Sequence, residues 1–366
     1  MQWKRRHCFL HIATFAFLLF LLAVLNFLVP HIWHPSFTEL LSWRDSSGLL
    51  KGEGLNANKS SVENNTISPG KQNISTEGQT GLENLNAISM HGLFPYIINE
   101  PDKCQKRKAA PFLVFIIATE ALDVEARSAI RQTWANESLV SAVGVIRLFL
   151  LGKREGQGVT QRMLQEESRT YHDIIQQDFL DSYYNLTLKT LMGLHWVARY
   201  CPHAAYVMKT DSDMFINTEY LIEKLLRPGL KTRTNYYTGR IMENMSPIRD
   251  KKNKWYMSEE EYQNPKYPTF CSGTGYVLSA DLADKIYRIS TRIHRLHLED
   301  VYVGLCLSQL RVKPTEPPSK SLFHHWHVPF TGCKYTHLIT SHQIPPKTIL
   351  KYWKTHQSNK EKCKIF

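Results

Sequence analysis

Two short, largely apolar runs predict buried strands in the middle of the chain. They cover residues 112–118 and 145–151, and each is bounded by proline, glycine or polar residues. A nearly unbroken apolar run of this length is typical of a strand that is buried on both faces of a sheet. Between the two runs, residues 124–134 carry apolar side chains at helical spacing. The pattern therefore predicts a strand-helix-strand unit.

The same alternation continues toward the C-terminus. The pattern predicts a helix over residues 185–200, which Cys201 and Pro202 end, and then a strand over residues 204–208. Strands that alternate with helices indicate an α/β fold, with a largely parallel sheet flanked by helices on both faces. In such sheets, ligands bind beyond the carboxyl ends of the strands. Further predicted elements are a strand over residues 269–278 and helices over residues 281–290 and 299–310.

A signal-anchor pattern lies at the N-terminus. Residues 9–29 contain no Lys, Arg, Asp or Glu, and they follow the basic cluster Lys4, Arg5 and Arg6. As a helix this segment reaches about 31 Å, which is enough to span the hydrocarbon core of a bilayer. No run of small residues offers a cleavage site after it. The pattern predicts a cytoplasmic tail over residues 1–8, a transmembrane helix over residues 9–29, and a luminal remainder.

A polar segment separates the predicted anchor from the patterned part of the chain. Residues 46–87 are rich in Ser, Asn, Gly, Glu and Thr and show no apolar periodicity. This composition predicts a flexible luminal stem, which we place over residues 30–95, followed by a globular domain over residues 96–366. We expect glycosylation at the three stem sequons, Asn58, Asn64 and Asn73.

Composition and charge narrow the class of protein. The 366 residues are 43% hydrophobic and 21% charged, as in ordinary globular proteins, and the net charge is +12. Such a balance suits nucleic acid, an anionic membrane or an acidic small molecule such as a nucleotide sugar. The luminal topology excludes nucleic acid as the partner. Cys8 lies at the cytoplasmic edge of the predicted span, and the six other cysteines are luminal, where an oxidising compartment predicts up to three disulfides.

Acidic residues follow the predicted strand over residues 204–208. Asp211 and Asp213 can supply oxygen ligands to a divalent cation that also touches a diphosphate, although an isolated Asp-x-Asp is more often a cap or a turn. A nitrogen ligand could come from His342 or from the cluster around Trp326. That cluster equally fits a half-buried strand with exposed imidazoles, which we favour for His324 and His327; His325 is its third histidine.

Charged residues at two predicted helices allow two interpretations each. Glu299 and Asp300 open the helix over residues 299–310, where acidic side chains are favoured by the helix dipole. Asp300 could instead point into a cleft and act as a general base. Arg127 and Arg131 are four residues apart, and they could bind phosphate or form a solvated helix face.

Five segments resemble the β-1,3-glycosyltransferases (glycosyltransferase family 31), and within them the β-1,3-galactosyltransferases. They occur in order between about residues 96 and 353, and each is long enough to be specific. The segments are RSAIRQTW at 127–134, DFLDSYYNLTLKT at 178–190, VMKTDSD at 207–213, FCSGTGY at 270–276 and LEDVYVG at 298–304.

The resemblance implies a fold and a reaction. It implies a GT-A-type sheet that binds a nucleotide sugar, with residues 96–366 as the catalytic domain. The implied reaction is inverting transfer of galactose from UDP-galactose to the 3-hydroxyl of an acceptor sugar, commonly a terminal N-acetylglucosamine. It also implies Mn²⁺ as cofactor and a single-pass type II protein of the Golgi membrane. Assembly into a homo- or hetero-oligomer is left open.

The resemblance also implies site residues. Asp213 matches a direct metal ligand, Asp211 supports the ribose or the metal, and His342 matches the second metal-binding position. Asp300 matches the catalytic base. Basic positions around the donor are Arg127, Arg131 and Lys189, and the sugar and acceptor site is shaped by Trp255, Tyr256, Gly273 and Glu299. A loop over residues 242–267 is expected to close over the site.

Two rival functions fit the same sequence. A β-1,3-N-acetylglucosaminyltransferase would use the same scaffold with another UDP-sugar. A membrane-anchored sugar-binding or chaperone-like protein would keep the fold without turnover. The presence of Asp211, Asp213, Asp300 and His342 argues against the second alternative.

Overall fold

The computed structural model describes residues 94–107, 109–154, 156 and 158–363. The predicted tail, anchor and most of the stem, with Cys8 and the sequons Asn58, Asn64 and Asn73, lie outside these residues. Within them, no helix is both long enough and apolar enough to cross a membrane.

The described part of the chain contains nine strands in two sheets. The strands are β1 (Tyr96–Ile98), β2 (Leu113–Ala118), β3 (Val145–Lys153), β4 (Ile174–Leu180), β5 (Tyr206–Asp211), β6 (Phe215–Ile216), β7 (Tyr237–Met242), β8 (Phe270–Ser279) and β9 (Thr340–Ser341). β6 and β9 pair with each other, and the other seven strands form the main sheet in the order β1-β4-β3-β2-β5-β8-β7. The predicted strands correspond to β2, β3, β5 and β8, whereas β1, β4 and β7 were not predicted.

The main sheet is mixed, so the prediction of a largely parallel sheet is wrong. β4, β3, β2 and β5 are parallel to one another. β1 is antiparallel to β4, and β8 is antiparallel to both β5 and β7. The error has a physical cause. β8 is mostly buried, and a sequence pattern that indicates a buried strand does not indicate the direction in which the strand runs.

Helices cover both faces of the main sheet. Leu113, Phe115 and Ile117 of β2 face one buried cluster with Ile130 and Trp353, whereas Val114 and Ile116 face the other. This alternation follows from the two-residue period of a strand. The α/β class with flanking helices is therefore confirmed. The helices are α1 (Val124–Gln132), α2 (Gly158–Tyr171), α3 (Leu186–Tyr200), α4 (Thr218–Tyr220, continued by the π-helix Leu221–Leu226), α5 (Asp281–Ser290), α6 (Glu299–Gln309) and α7 (Pro346–Asn359).

Two disulfides cross-link the described residues, Cys104–Cys201 and Cys333–Cys363. Two disulfides fall within the predicted maximum of three, and the other two cysteines of the described residues, Cys271 and Cys306, are free and buried. Burial raises the pKa of each of these two thiols to about 12. A thiol in this state is a poor nucleophile.

One edge of the main sheet collects the ends of several strands. The four parallel strands, which include β2 and β5, finish there. β7 runs parallel to β5, because both are antiparallel to β8, so the carboxyl end of β7 and the amino end of β8 reach the same edge. Residues 243–269, which connect β7 to β8, therefore begin and end beside the carboxyl end of β5.

Candidate active site at the carboxyl edge of the sheet

Three ligand-type side chains meet where β5 ends. The nearest ligand atoms of Asp211, Asp213 and His342 all lie within 4.8 Å of one another. β5 carries Asp211, and the pairing of Phe215 in β6 with Ser341 in β9 brings His342 beside Asp213. The backbone adds a second link, because Ile344 N–H donates to the Asp213 carbonyl at 2.8 Å.

The hydrogen bonds of His342 orient it for metal binding. Its Nδ1 lies 3.1 Å from the carbonyl oxygen of His325, which can only accept, so Nδ1 carries the proton. Nε2 lies 3.1 Å from Oδ2 of Asp213. Burial alone would lower the pKa of His342, but the hydrogen bond and charge of Asp213 raise it. A cation bound between Asp213 and Nε2 would replace the second imidazolium proton, so this donor set fits a divalent metal.

The histidines around Trp326 do not join this cluster among the described residues. The rings of His324 and His325 pack on Trp326 at 5.2 and 4.8 Å between centroids, and His327 is exposed. His325 contributes its backbone carbonyl instead of its ring. The half-buried strand proposed for this segment is wrong, because only Phe323 forms an isolated bridge there.

Asp300 lies at the start of α6 and is held by backbone donors. Gly273 N–H donates to Oδ2 at 3.0 Å, and Val301 N–H donates to Oδ1 at 2.9 Å. Burial raises the pKa of Asp300, although these hydrogen bonds and the charge of Lys209 oppose that rise. The N-cap residue of α6 is Leu298, so Asp300 is not the capping side chain. A catalytic role for Asp300 stays a prediction.

Glu299 is buried beside Asp300. Tyr276 Oη donates to its Oε1 at 2.6 Å, and Lys209 Nζ lies 3.1 Å from its Oε2. Burial raises the pKa of Glu299, while the charge of Lys209 lowers it. The sequence prediction missed Lys209, which the strand pattern gave no reason to distinguish from its neighbours.

Gly273 packs closely against the start of α6. A Cβ atom there would lie 2.9 Å from Glu299 Oε2 and 3.3 Å from Asp300 Cβ. The first distance is shorter than normal contacts allow. Gly273 therefore serves the site by its small size and by its backbone N–H.

Exposed aromatic residues lie near Asp300. Trp255 and Tyr183 are 47% and 42% exposed. Burial raises the pKa of Tyr183. The charges of Asp300 and Asp211 also raise this pKa, whereas a hydrogen bond with Trp255 lowers it. Tyr183 was not predicted as a site residue. Tyr256 follows Trp255 and is half-buried, with an isolated bridge to Ile248.

The three predicted donor-binding cations are buried and paired. Arg127 binds Glu167 through Nε and Nη2 at 2.8 and 2.7 Å. Arg131 binds both Glu167 and Asp173. Lys189 donates to Asp181 at 2.6 Å and to the Thr119 carbonyl at 2.7 Å.

These ion pairs change the interpretation of the two arginines. A solvated helix face is wrong, because Arg127 is 0% exposed and Arg131 is buried. Contact of the two arginines and Lys189 with a donor nucleotide stays a prediction, and any such contact must add to carboxylate pairs that already exist.

Comparison with known proteins identifies the family. Residues 125–318 match the family model described as Galactosyltransferase, and residues 39–114 match the one described as Beta-1,3-galactosyltransferase 2 N-terminus. The chain belongs to the galactosyltransferase family. The resemblance drawn from the five sequence segments is thereby confirmed.

Three relatives show how far this similarity extends. Beta-1,3-galactosyltransferase 2 of Mus musculus is 47% identical over 404 residues, and that of Homo sapiens is 46% identical over 407 residues. Both alignments cover 98% of this chain and 95% of the relative. Beta-1,3-galactosyltransferase 1 of Mus musculus is 49% identical over 267 residues, which cover 73% of this chain and 80% of the relative.

One solved structure has a weaker likeness. The apo structure of the bifunctional glycosyltransferase WbbM matches with a TM-score of 0.30 and 12% identity, over 58% of this chain and 39% of that one. A likeness of this size carries no argument about function.

Proposed function

We propose that this protein is an inverting β-1,3-galactosyltransferase with a GT-A-type catalytic domain. It transfers galactose from UDP-galactose to the 3-hydroxyl of an acceptor sugar, with terminal N-acetylglucosamine of glycoproteins or glycolipids as the preferred acceptor. One observation carries the proposal. A carboxylate-carboxylate-histidine cluster and a separately held carboxylate, Asp300, share one edge of the sheet in a chain of the galactosyltransferase family.

The donor side of the site uses the cluster at the end of β5. Asp211, Asp213 and His342 would hold a divalent cation, for which we propose Mn²⁺. Bound there, the ion supplies a positive charge that offsets the negative charge developing on the diphosphate as UDP departs. Half of the Asp213 side chain is exposed, at 49%, so a diphosphate can approach the cluster from solvent.

The acceptor side uses Asp300 as general base. The acceptor O3–H bond breaks as its proton passes to the Asp300 carboxylate, and O3 forms the new bond to the anomeric carbon. The bond from that carbon to the phosphate oxygen breaks on the opposite face, and its electron pair leaves with UDP. One displacement of this kind converts the α-linked donor into a β-linked product, as a base on the face opposite the leaving group does in inverting glycosidases.

Exclusion of water is assigned to the connection between β7 and β8. This connection carries Trp255, which contacts Tyr183 beside the base. Both ends of residues 243–269 lie at the edge that carries the site, so the connection can fold over the reacting groups. Closure would protect the donor from hydrolysis.

We place the protein in the Golgi membrane as a single-pass type II protein with a luminal catalytic domain. The support is the uncharged segment over residues 9–29 and the basic cluster before it. An excess of positive charge on the luminal residues favours the negatively charged donor nucleotide.

A donor comparison tests the proposed function. The full chain, purified in detergent, is assayed with UDP-galactose and UDP-N-acetylglucosamine at matched concentrations, and the product linkage is determined by NMR. Overpacking of a bulky acetamido group in a pocket fitted to galactose costs about 1–3 kcal/mol, so UDP-galactose is expected to be preferred by roughly 5- to 150-fold.

Three results would contradict specific parts of the proposal. Preference for UDP-N-acetylglucosamine would favour the alternative transferase activity. An α-linked product would refute inversion. Absence of UDP release with every donor and acceptor would favour the non-catalytic sugar-binding protein.

A further inference from the structure

A single buried ammonium group connects the two sides of the site. Lys209 on β5 is buried, and its Nζ lies 2.9 Å from Asp211 Oδ1, 3.1 Å from Glu299 Oε2 and 2.5 Å from the carbonyl oxygen of Gly273. An ammonium group has three donors. All three are used here, by groups from β5, β8 and α6.

Each of these three partners adjoins a group with a proposed role in the reaction. Asp211 belongs to the cluster that would hold the metal. The N–H of Gly273 donates to Asp300, while the carbonyl of the same residue accepts from Lys209. Glu299 immediately precedes Asp300 in α6. Movement of Lys209 Nζ would therefore disturb both the metal-side carboxylate Asp211 and the proposed base Asp300.

Charge explains why a cation is needed at this position. Glu299 is buried, and without Lys209 its carboxylate would have the Tyr276 hydroxyl but no opposite charge. A buried carboxylate without a cation is strongly unfavourable. Asp211 and Asp300 would add further negative charge nearby. The compact ammonium of lysine suits three separate acceptors better than the planar fork of arginine.

We propose that Lys209 is a positioning residue, which fixes the metal-side carboxylate Asp211 and the base Asp300 in one frame. This inference rests on the proposed transferase function. Lys209 contacts neither the reacting atoms nor the cation in this assignment, and it acts through Asp211, Gly273 and Glu299. Its loss should therefore lower turnover more than it lowers the binding of metal or nucleotide.

The test compares two variants of the full chain. Lys209→Met alone leaves Glu299 buried and unpaired, and it can fail to fold. The double variant Lys209→Met with Glu299→Gln removes both charges and is compared with Glu299→Gln. We expect the double variant to turn over at least about tenfold more slowly than Glu299→Gln. Its affinity for Mn²⁺ in the presence of UDP, measured by calorimetry, should stay within about threefold or become tighter, because a positive charge has been removed.

The pH profile provides a second measurement that a purely structural role would not alter. The charge of Lys209 lowers the pKa of Asp300, against burial and the charge of Asp211, which raise it. In the double variant the acid limb of kcat/KM should move to higher pH than in Glu299→Gln. Lys103→Met is the matched control. Lys103 pairs with Glu137 and donates to the His172 carbonyl. His172 lies just before the amino end of β4, at the edge of the sheet opposite the site. The turnover of this control should equal that of the wild type.

The outcomes separate this inference from the proposed function. Wild-type transfer from UDP-galactose, with equal turnover in the double variant and Glu299→Gln, would overturn the role of Lys209 alone. Loss of Mn²⁺ affinity in proportion to turnover would also overturn it, because Lys209 would then act only on the metal cluster. Absence of wild-type transfer would overturn both proposals.

Discussion

The backbone N–H of Gly273 on β8 donates a 3.0 Å hydrogen bond to Oδ2 of Asp300 on α6. This bond holds the proposed base against the sheet edge. The two segments approach so closely that a Cβ atom on Gly273 would lie 2.9 Å from the neighbouring Glu299. The orientation of the base therefore depends on a residue without a side chain in another element.

Substitution of Gly273 should displace the base. We expect Gly273→Ala to lower kcat at least about tenfold and to cost about 1–3 kcal/mol of stability, because the new methyl group overpacks against Glu299. Gly275→Ala on the same strand is the control, since its Cβ would have ordinary contacts of 3.4 Å with Met208 and Thr340. Kinetics and thermal unfolding of both variants test this expectation. Equal kcat values would show that the approach of α6 to β8 is not critical.

Removal of the base should separate binding from chemistry. Asp300→Asn is expected to lower turnover by at least about 10²-fold, because the amide cannot accept the acceptor proton. UDP affinity and the unfolding temperature should change little. Asp284→Asn, in the exposed ion pair with Arg288 on α5, serves as control. A normal rate for Asp300→Asn would leave Asp300 as an acidic residue that only favours the helix start.

The pH dependence of activity should reflect the environment of Asp300. Burial raises the pKa of this carboxyl, and a general base acts only in its deprotonated form. The value of kcat/KM should therefore fall as pH decreases through a midpoint above the ordinary aspartate value of about 3.9. Rates measured from pH 4 to pH 8 would locate the midpoint. A value of kcat/KM that does not fall between pH 8 and pH 4 would contradict the assignment.

Metal removal should abolish transfer reversibly. Chelation of the wild-type protein is expected to stop the reaction, and added Mn²⁺ should restore it. Asp213→Ala should remove activity at any metal concentration, whereas His342→Ala should weaken metal affinity less severely. Metal titrations of activity and calorimetry distinguish the two variants. Full activity in chelator would refute the role of the Asp211–Asp213–His342 cluster.

The ion pairs of Glu167 should stabilise the fold in a pH-dependent way. Burial alone would raise its pKa, but hydrogen bonds and charges from Arg127 and Arg131 lower it. Because the folded pKa is lowered, this stabilisation is present above the unfolded value of about 4.3 and is lost as pH falls through the folded value. At pH 7, Glu167→Gln should cost about 3 kcal/mol.

A neighbouring residue supplies the control for Glu167. Glu166 pairs with Arg169 on the exposed side of α2, where each side chain is mostly in solvent. Glu166→Gln should therefore change stability by less than about 1 kcal/mol. Denaturant unfolding of both variants at pH 7 and pH 3 tests the comparison. An equal loss for Glu167→Gln at both values would contradict the proposed titration.

Local patterns predicted the elements whose apolar residues dominate. The strand over residues 113–118 forms as expected because it is buried on both faces. The helix over residues 186–200 forms as expected because it has buried residues in successive turns. β4 was missed because Gln176 and Gln177 interrupt its apolar run. The structure buries these amides, and Gln176 exchanges hydrogen bonds with Gln161 on α2. Such compensation by a distant residue leaves no trace in a local pattern.

Local sequence patterns revealed some residues of the site and not others. The carboxylates Asp211 and Asp213 are visible as a local motif, whereas His342 was assigned only through the family resemblance. Its position depends on the pairing of β6 with β9, and strands of two residues give no periodic signal. Lys209 and Tyr183 were missed for a related reason. Their positions at the site arise from contacts between elements far apart in the sequence.

The antiparallel direction of β8 affects how a chain of this kind can diversify. A connection whose two ends lie at one edge can lengthen, shorten or be exchanged without altering the register of any strand, since loop closure depends only weakly on loop length. The parallel strands that lead to Asp211 are untouched by such an exchange. Under the proposed function, selection for a new acceptor glycan can therefore act on residues 243–269 without altering the strands that carry the proposed donor site.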